Sequence, residues 1–174
     1  MSTYGNKTVG VSAYLRDSGS PEFMPDLMTV TQPNLELLTD TISGAGINGE
    51  IDMPTYAQTA SMTWESTFRR MNSVVAKLAA PVQHEVETRW VTDVIDSATG
   101  AAKVVGAKRI TKGFTKTLEG GSLEPNAAQE ANCSLEVVYD KLIVDGETVW
   151  EIDKFNNGFT VLGVNYAQAI QDNL

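Results

Sequence analysis

One hairpin constrains this chain more than any other stretch. Residues 135–144 and 147–155 are two runs rich in β-branched and aromatic side chains, separated only by Asp145-Gly146. A two-residue connection between antiparallel strands requires positive φ at both central positions, and Asp-Gly is among the few pairs that accept it. The simplest register sets Tyr139 opposite Ile152 and Lys141 opposite Trp150, offering a face to bury. It also sets Asp140 opposite Glu151, which is unfavourable unless a cation or a shifted register intervenes.

The two-residue period runs through much of the remainder. Residues 9–15 form a short candidate strand, broken by Ser18-Gly19-Ser20-Pro21, while Pro25 and Pro33 keep the next segment out of helix until residues 35–42 alternate loosely. Further extended pieces are expected at 51–56 and 60–65. In residues 83–96, Val86, Thr88, Trp90, Thr92 and Val94 share one face, and Glu85, Glu87, Arg89, Val91 and Asp93 share the other. A turn at 97–100 leads into a return strand over 102–117. Such alternation describes a sheet with one face on a core and one face wet. Residues 119–130 read as a polar loop and 165–170 as a last turn of helix. One segment departs from this period: Phe68, Met71, Val75 and Leu78 recur at helical spacing between a Ser66 or Thr67 cap and Pro81, predicting a helix over 68–80. No repeat or composition break divides the 174 residues, so one mainly β domain over 1–174 is expected.

Gly44, Gly46 and Gly49 spell G-x-G-x-x-G. A loop that cradles a dinucleotide must close a strand and open a helix, so that backbone N–H groups face the pyrophosphate. Here the following Glu50-Ile51-Asp52-Met53-Pro54 is extended and carries proline where the helix should run. A Gly-rich loop joining two strands is the expectation, with no cofactor. His84 is the sole histidine and reads as a polar residue at a strand edge; Cys133 is the sole cysteine, reads as a buried inert thiol and excludes an internal disulfide. No Asp/Asn loop has calcium-binding spacing. Trp64, Trp90 and Trp150 fall at strand positions, where burial is commoner than a sugar-binding platform. No catalytic, cofactor-binding or metal residue is expected, and no enzyme. The net charge of −9 disfavours non-specific binding to DNA or to an anionic membrane, yet suits a protein that lets DNA pass without holding it. No apolar run reaches membrane-spanning length, and residues 1–14 lack the apolar stretch of a signal peptide, so a cytoplasmic start without integral membrane association is expected.

With Tyr139-Asp140 before it, the stretch Lys141-Leu142-Ile143-Val144-Asp145-Gly146-Glu147, followed by Glu151-Ile152-Asp153 and Asn156, resembles the C-terminal hairpin of the major tail tube proteins of contractile-tailed bacteriophages and related phage-tail-like bacteriocins, K-L-x-V-D-G-E-x-x-x-E-I-D-x-x-N. A proline-led strand entering a Gly-rich loop over 33–53, and the lysine-bearing strand over 103–116, are similar to segments of that family as well. The resemblance implies a β-sandwich or barrel with a flanking helix, assembled as hexameric rings that stack into a tube. It also implies partners: further copies of the chain, a tail sheath, baseplate and tail terminator proteins, and a tape-measure protein and DNA in the lumen of a phage. The location implied is a virion tail or bacteriocin particle, assembled in the bacterial host cytoplasm. On this reading the loop formed by Ser43, Gly44, Ala45, Gly46, Ile47, Asn48, Gly49, Glu50, Ile51 and Asp52 carries contacts between rings. Glu36, Asp40, Glu85, Glu87, Arg89 and Asp93 are the candidates for the lumen wall; the alternative is that their face packs on the sheath or solvent. Phage and bacteriocin tubes are not separated by the sequence. A type VI secretion tube shares the architecture, and a β-sandwich carbohydrate-binding module is the more distant rival.

Overall fold

The computed structural model describes residues 3–174; Met1 and Ser2, part of the domain expected over 1–174, lie outside the described residues. The chain runs from β1 (Thr3–Leu15) through β2 (Glu22–Phe23) and β3 (Leu27–Thr31) to β4 (Leu37–Ile42), β5 (Ile51–Thr59) and β6 (Thr63–Phe68). A short helix, α1 (Ser73–Lys77), precedes the long strands β7 (His84–Asp96), β8 (Ala102–Glu119) and β9 (Ala131–Val144). The last elements are β10 (Glu147–Asp153), β11 (Gly158–Val161), β12 (Val164–Asn165) and α2 (Gln168–Gln171). The protein is mainly β, as its two-residue period predicts.

Ten strands share one antiparallel sheet in the order β12-β11-β10-β9-β8-β7-β1-β2, and β6 also pairs with β9 and carries β3 beyond it. The sheet does not close into a barrel within one chain, since β12 and β2 end the path. β4 and β5 stand apart as a second, two-stranded sheet. The core lies where β1, β6, β7, β9 and α1 meet: Leu15, Trp64, Phe68, Val75, Leu78, Val86, Cys133 and Leu135 are all shielded from solvent. Burial of each large apolar side chain there contributes about 1.5–3 kcal/mol, which holds the long strands as a platform.

The helix expected over 68–80 is much shorter. Trp64, Ser66 and Phe68 are buried at every second position, and β6 pairs with both β3 and β9 as far as Phe68. Period two therefore persists beyond the proposed Ser66 or Thr67 cap. The true N-cap is Asn72, whose side-chain oxygen accepts from the N–H groups of Val74 and Val75 at 3.0 Å each. After Lys77 the chain tightens through bonds to the third residue back, ending at Ala80 before Pro81.

The hairpin turn is as predicted, with φ of 52° at Asp145 and 82° at Gly146. Its register is not. A bulge between Thr148 and Trp150 shifts β10 by one residue, so Glu151 faces Lys141, and Asp153 rather than Ile152 faces Tyr139. The shift removes the Asp140/Glu151 clash. Glu151 pairs with Lys141 at 3.1 Å, while Asp140 turns toward the core side of the sheet beside Arg109. Both remedies that the like-charge pair demanded, a register shift and a cation, are present.

Candidate functional site

β4 and β5 form an arm. From Leu38 to Tyr56 every residue is exposed except the partly covered Ile47. Ile42 pairs with Ile51, Thr41 with Asp52 and Asp40 with Met53, so alternation places Leu38, Asp40, Ile42, Ile51 and Met53 on one face. Its apolar members are large and open to solvent, Met53 by 51%. A lone two-stranded hairpin is marginal in water, and an uncovered apolar face marks a contact surface. The connecting loop, which contains Ser43 to Glu50, has φ of 151°, 91° and 104° at Gly44, Gly46 and Gly49. Those values favour glycine for backbone reasons, since no atom lies near where a Cβ would project. β5 starts directly at Ile51, so no helix faces the loop and the geometry of a phosphate cradle is missing.

The base of the arm is gripped by two cations. Arg109, 4% exposed, forms a two-point ion pair with the fully buried Asp140, with Nε and Nη2 at 2.7 and 2.9 Å from its oxygens. The same guanidinium donates to the Pro33 carbonyl at 2.7 Å and to Gln32 Oε1 at 3.3 Å. Trp150 Nε1 donates to Asp140 at 2.7 Å, and the buried Thr111 hydroxyl donates to it at 3.4 Å. On the other limb Lys154 Nζ donates to the Ala60 carbonyl at 2.7 Å, and the Ala60 N–H donates to the Glu36 carbonyl at 2.8 Å. Burial holds the Lys154 ammonium below its ordinary pKa. None of these anchors was among the sequence candidates, although the Asp140/Glu151 conflict was the signal for a missing cation.

Glu85, Glu87, Arg89 and Asp93 do share one face of β7, as alternation requires; Glu36 and Asp40 lie apart from them, on the limb leading into β4 and on β4 itself. That face is not an acidic patch. Arg16, Arg89, Lys108, Lys112 and Lys141 stand on or over it, against Glu85, Glu87, Asp93, Glu151 and Asp153. Glu87 is 1% exposed and bonds Arg89 and, at 2.5 Å, Arg16. Burial is the largest single influence on its carboxyl and pushes the pKa up, but the two arginines together outweigh it and hold it below the ordinary value. Lys112 lies 3.3 Å from Glu85 and stacks over Tyr139, whose hydroxyl donates to Glu151 at 2.7 Å. Asp93 is lowered chiefly by the Lys7 backbone N–H, with Asn6 adding a second bond.

The other residues singled out by sequence are structural. His84 opens β7, at the strand end where the sequence placed it, but it is buried, and the ring bridges Asp17 Oδ2 at 2.5 Å and the Ala80 carbonyl at 3.0 Å. Cys133 is buried, and burial pushes its thiol up to about 12. Trp64 is fully buried with Nε1 donating to Thr88, while Trp90 and Trp150 are half-buried.

An uncovered apolar arm on an ion-paired sheet is the constitution of a structural subunit that assembles with other chains. The chain belongs to the phage tail tube protein FII family, whose model matches residues 18–174. Members are structural components of the tail. No curated protein sequence matches. Among solved structures, the sheath/tube terminator of an extracellular contractile injection system, PVC, in its extended state is similar in fold, with a TM-score of 0.51 and 12% identity over 81% of this chain and 96% of that one. A chain of the six-fold symmetrised anti-feeding prophage baseplate aligns at a TM-score of 0.40 and 11% identity over 83% of this chain and 97% of that one.

Proposed function

We propose that this protein is a single-domain building block of the inner tube of a contractile tail or tail-like particle, forming hexameric rings that stack into a hollow conduit. The observation that carries the proposal is the arm: a chain of the tail tube family holds out an apolar hairpin that its own sheet leaves uncovered. Its loop over 43–52 reaches the neighbouring ring and carries the stacking contacts. Closing the ring also removes sheet edges that a lone subunit exposes. The partners are further copies of the chain, a surrounding sheath, and baseplate and terminator proteins at the ends. In a phage the bore holds a tape-measure protein and then DNA, and the net charge of −9 keeps phosphate from adhering to the wall. The particle is assembled in a bacterial cytoplasm. A tube without a genome, as in a bacteriocin, or a type VI secretion tube would use the same contacts.

Negative-stain microscopy of the purified protein tests this. Rings and tubes are expected, and deletion of residues 45–48 should leave folded subunits or rings that do not lengthen. Normal tubes from the deletion variant would remove the arm from the stacking contact.

A further inference from the structure

The face of the sheet that carries Glu85 and Arg89 also holds a hollow of about 320 Å³, lined by Val91, Gly106, Ala107 and Ile143 with Arg89 and Lys108 at its lip. Two observations about it have no explanation inside one chain, and a third comes from the arm. Gly10 and Gly106 are the register partners of Val91 on the two flanking strands, so in this row across β1, β7 and β8 the Val91 side chain stands between two bare backbones. A Cβ at either glycine would meet no atom within 4 Å and neither has positive φ; Gly10 adjoins a register shift of β1, whereas Gly106 lies in unbroken pairing with β7, where neither packing nor backbone requires glycine. Strand glycines without an internal reason mark the close approach of another chain.

The second observation is electrostatic. Arg89 and Lys108 are directly opposite one another across β7 and β8, a like-charge pair that destabilises a sheet. Arg89 is satisfied by Glu87 and by the Tyr14 ring, but among the described residues no carboxylate lies within 4 Å of Lys108. The Asp140/Glu151 conflict was resolved inside the chain; this one is not.

The third is the shape of the partner. Residues 33–62 contain four carboxylates, Glu36, Asp40, Glu50 and Asp52, and no lysine, arginine or histidine. On the exposed face of the arm a single acid, Asp40, stands among Leu38, Ile42, Ile51 and Met53. An apolar face with one carboxylate complements an apolar hollow with one unpaired ammonium.

We infer that the arm of one copy docks in the Val91–Gly106–Ile143 hollow of another, with Asp40 of the first meeting Lys108 of the second. The inference rests on the arm-contact reading above and names its receptor. This face is then covered by a neighbour and does not line the bore.

Charge exchange tests it. Lys108→Glu and Asp40→Lys should each raise the protein concentration needed for tube growth about tenfold, the effect of losing roughly one interfacial charge pair. The double variant K108E/D40K should restore growth, because every copy then supplies both reversed partners. Gly106→Val should melt no lower than the parent yet fail to form tubes, since it fills the hollow without touching the subunit's own packing. Parental growth by either single charge variant or by G106V overturns the inference. So does a double variant that stays defective, which would assign the hollow to another partner. If the 45–48 deletion also grows normally, the arm-contact reading falls as well; if the deletion alone is defective, only the receptor assigned here falls.

Discussion

The Arg109–Asp140 pair allows a sharp energetic test. Asp140→Leu leaves a guanidinium that is 4% exposed with no carboxylate, facing the neutral oxygens of Pro33 and Gln32 and the Trp150 ring, and it removes the acceptor of Trp150 and of the Thr111 hydroxyl. Stripping one partner from a buried ion pair costs about 3–5 kcal/mol. At roughly 2–4 °C per kcal/mol for a chain of this size, the melting temperature should fall on the order of 10 °C. The double variant R109M/D140L removes both desolvation costs and fills the space with apolar atoms, while leaving the Trp150 N–H unpaired at about 1–3 kcal/mol. Its stability should return to within about 2 kcal/mol of the parent. Urea unfolding followed by tryptophan fluorescence reads both, with the midpoint compared at constant slope. A double variant as unstable as D140L would refute the reasoning, because it would mean that apolar packing cannot replace the charges. The double variant has also lost the grip on Pro33, so protease cleavage within residues 33–62 should accelerate under native conditions even where global stability has recovered.

Three further outcomes follow from the same geometry. Glu87→Gln should destabilise the protein at neutral pH; because the folded carboxyl titrates below its ordinary value, the parent's advantage is present above that value and should vanish as pH falls through the folded one, as pH-dependent urea melts would show. Cys133, with its thiol pushed up to about 12, should react with a disulfide reagent at pH 8 only at the rate of global unfolding, and fast reaction of the folded protein would contradict its burial. Asn72→Ala should cost about 1 kcal/mol through loss of the cap, measured as a shift in the urea midpoint.

The strands were legible because each carries its own evidence locally. Alternation over residues 83–96, the Asp145-Gly146 turn and the Pro54 that forbids a helix after Gly49 are all readable within a few neighbours. What escaped depends on residues distant in sequence. Phe68 looks helical beside Met71 and Val75, but its pairing with Ala131 and Leu27 decides in favour of strand. The register of β10 turns on a bulge at Val149, and no local pattern marks it. Glu87 reads as a solvated carboxylate until Arg16 arrives from another strand end and closes over it. The arm could be placed from its glycines and prolines, whereas its anchors could not: Arg109 and Lys154 are ordinary strand and turn cations until the fold brings Pro33 and Ala60 to them.

Both anchors hold the arm by main-chain oxygens. Arg109 takes the carbonyl of Pro33 and Lys154 that of Ala60, and a third bond joins the two limbs backbone to backbone at Glu36 and Ala60. A carbonyl is present whatever side chain its residue bears. Apart from the longer bond from Arg109 to the Gln32 side chain, the hinge is therefore blind to the identity of the residues it carries, and mutation can rewrite the arm beyond Pro33 without loosening its mount. If the arm carries the contacts proposed above, divergence in those contacts is uncoupled from the stability of the sheet beneath it, and one platform can serve tubes of different specificity.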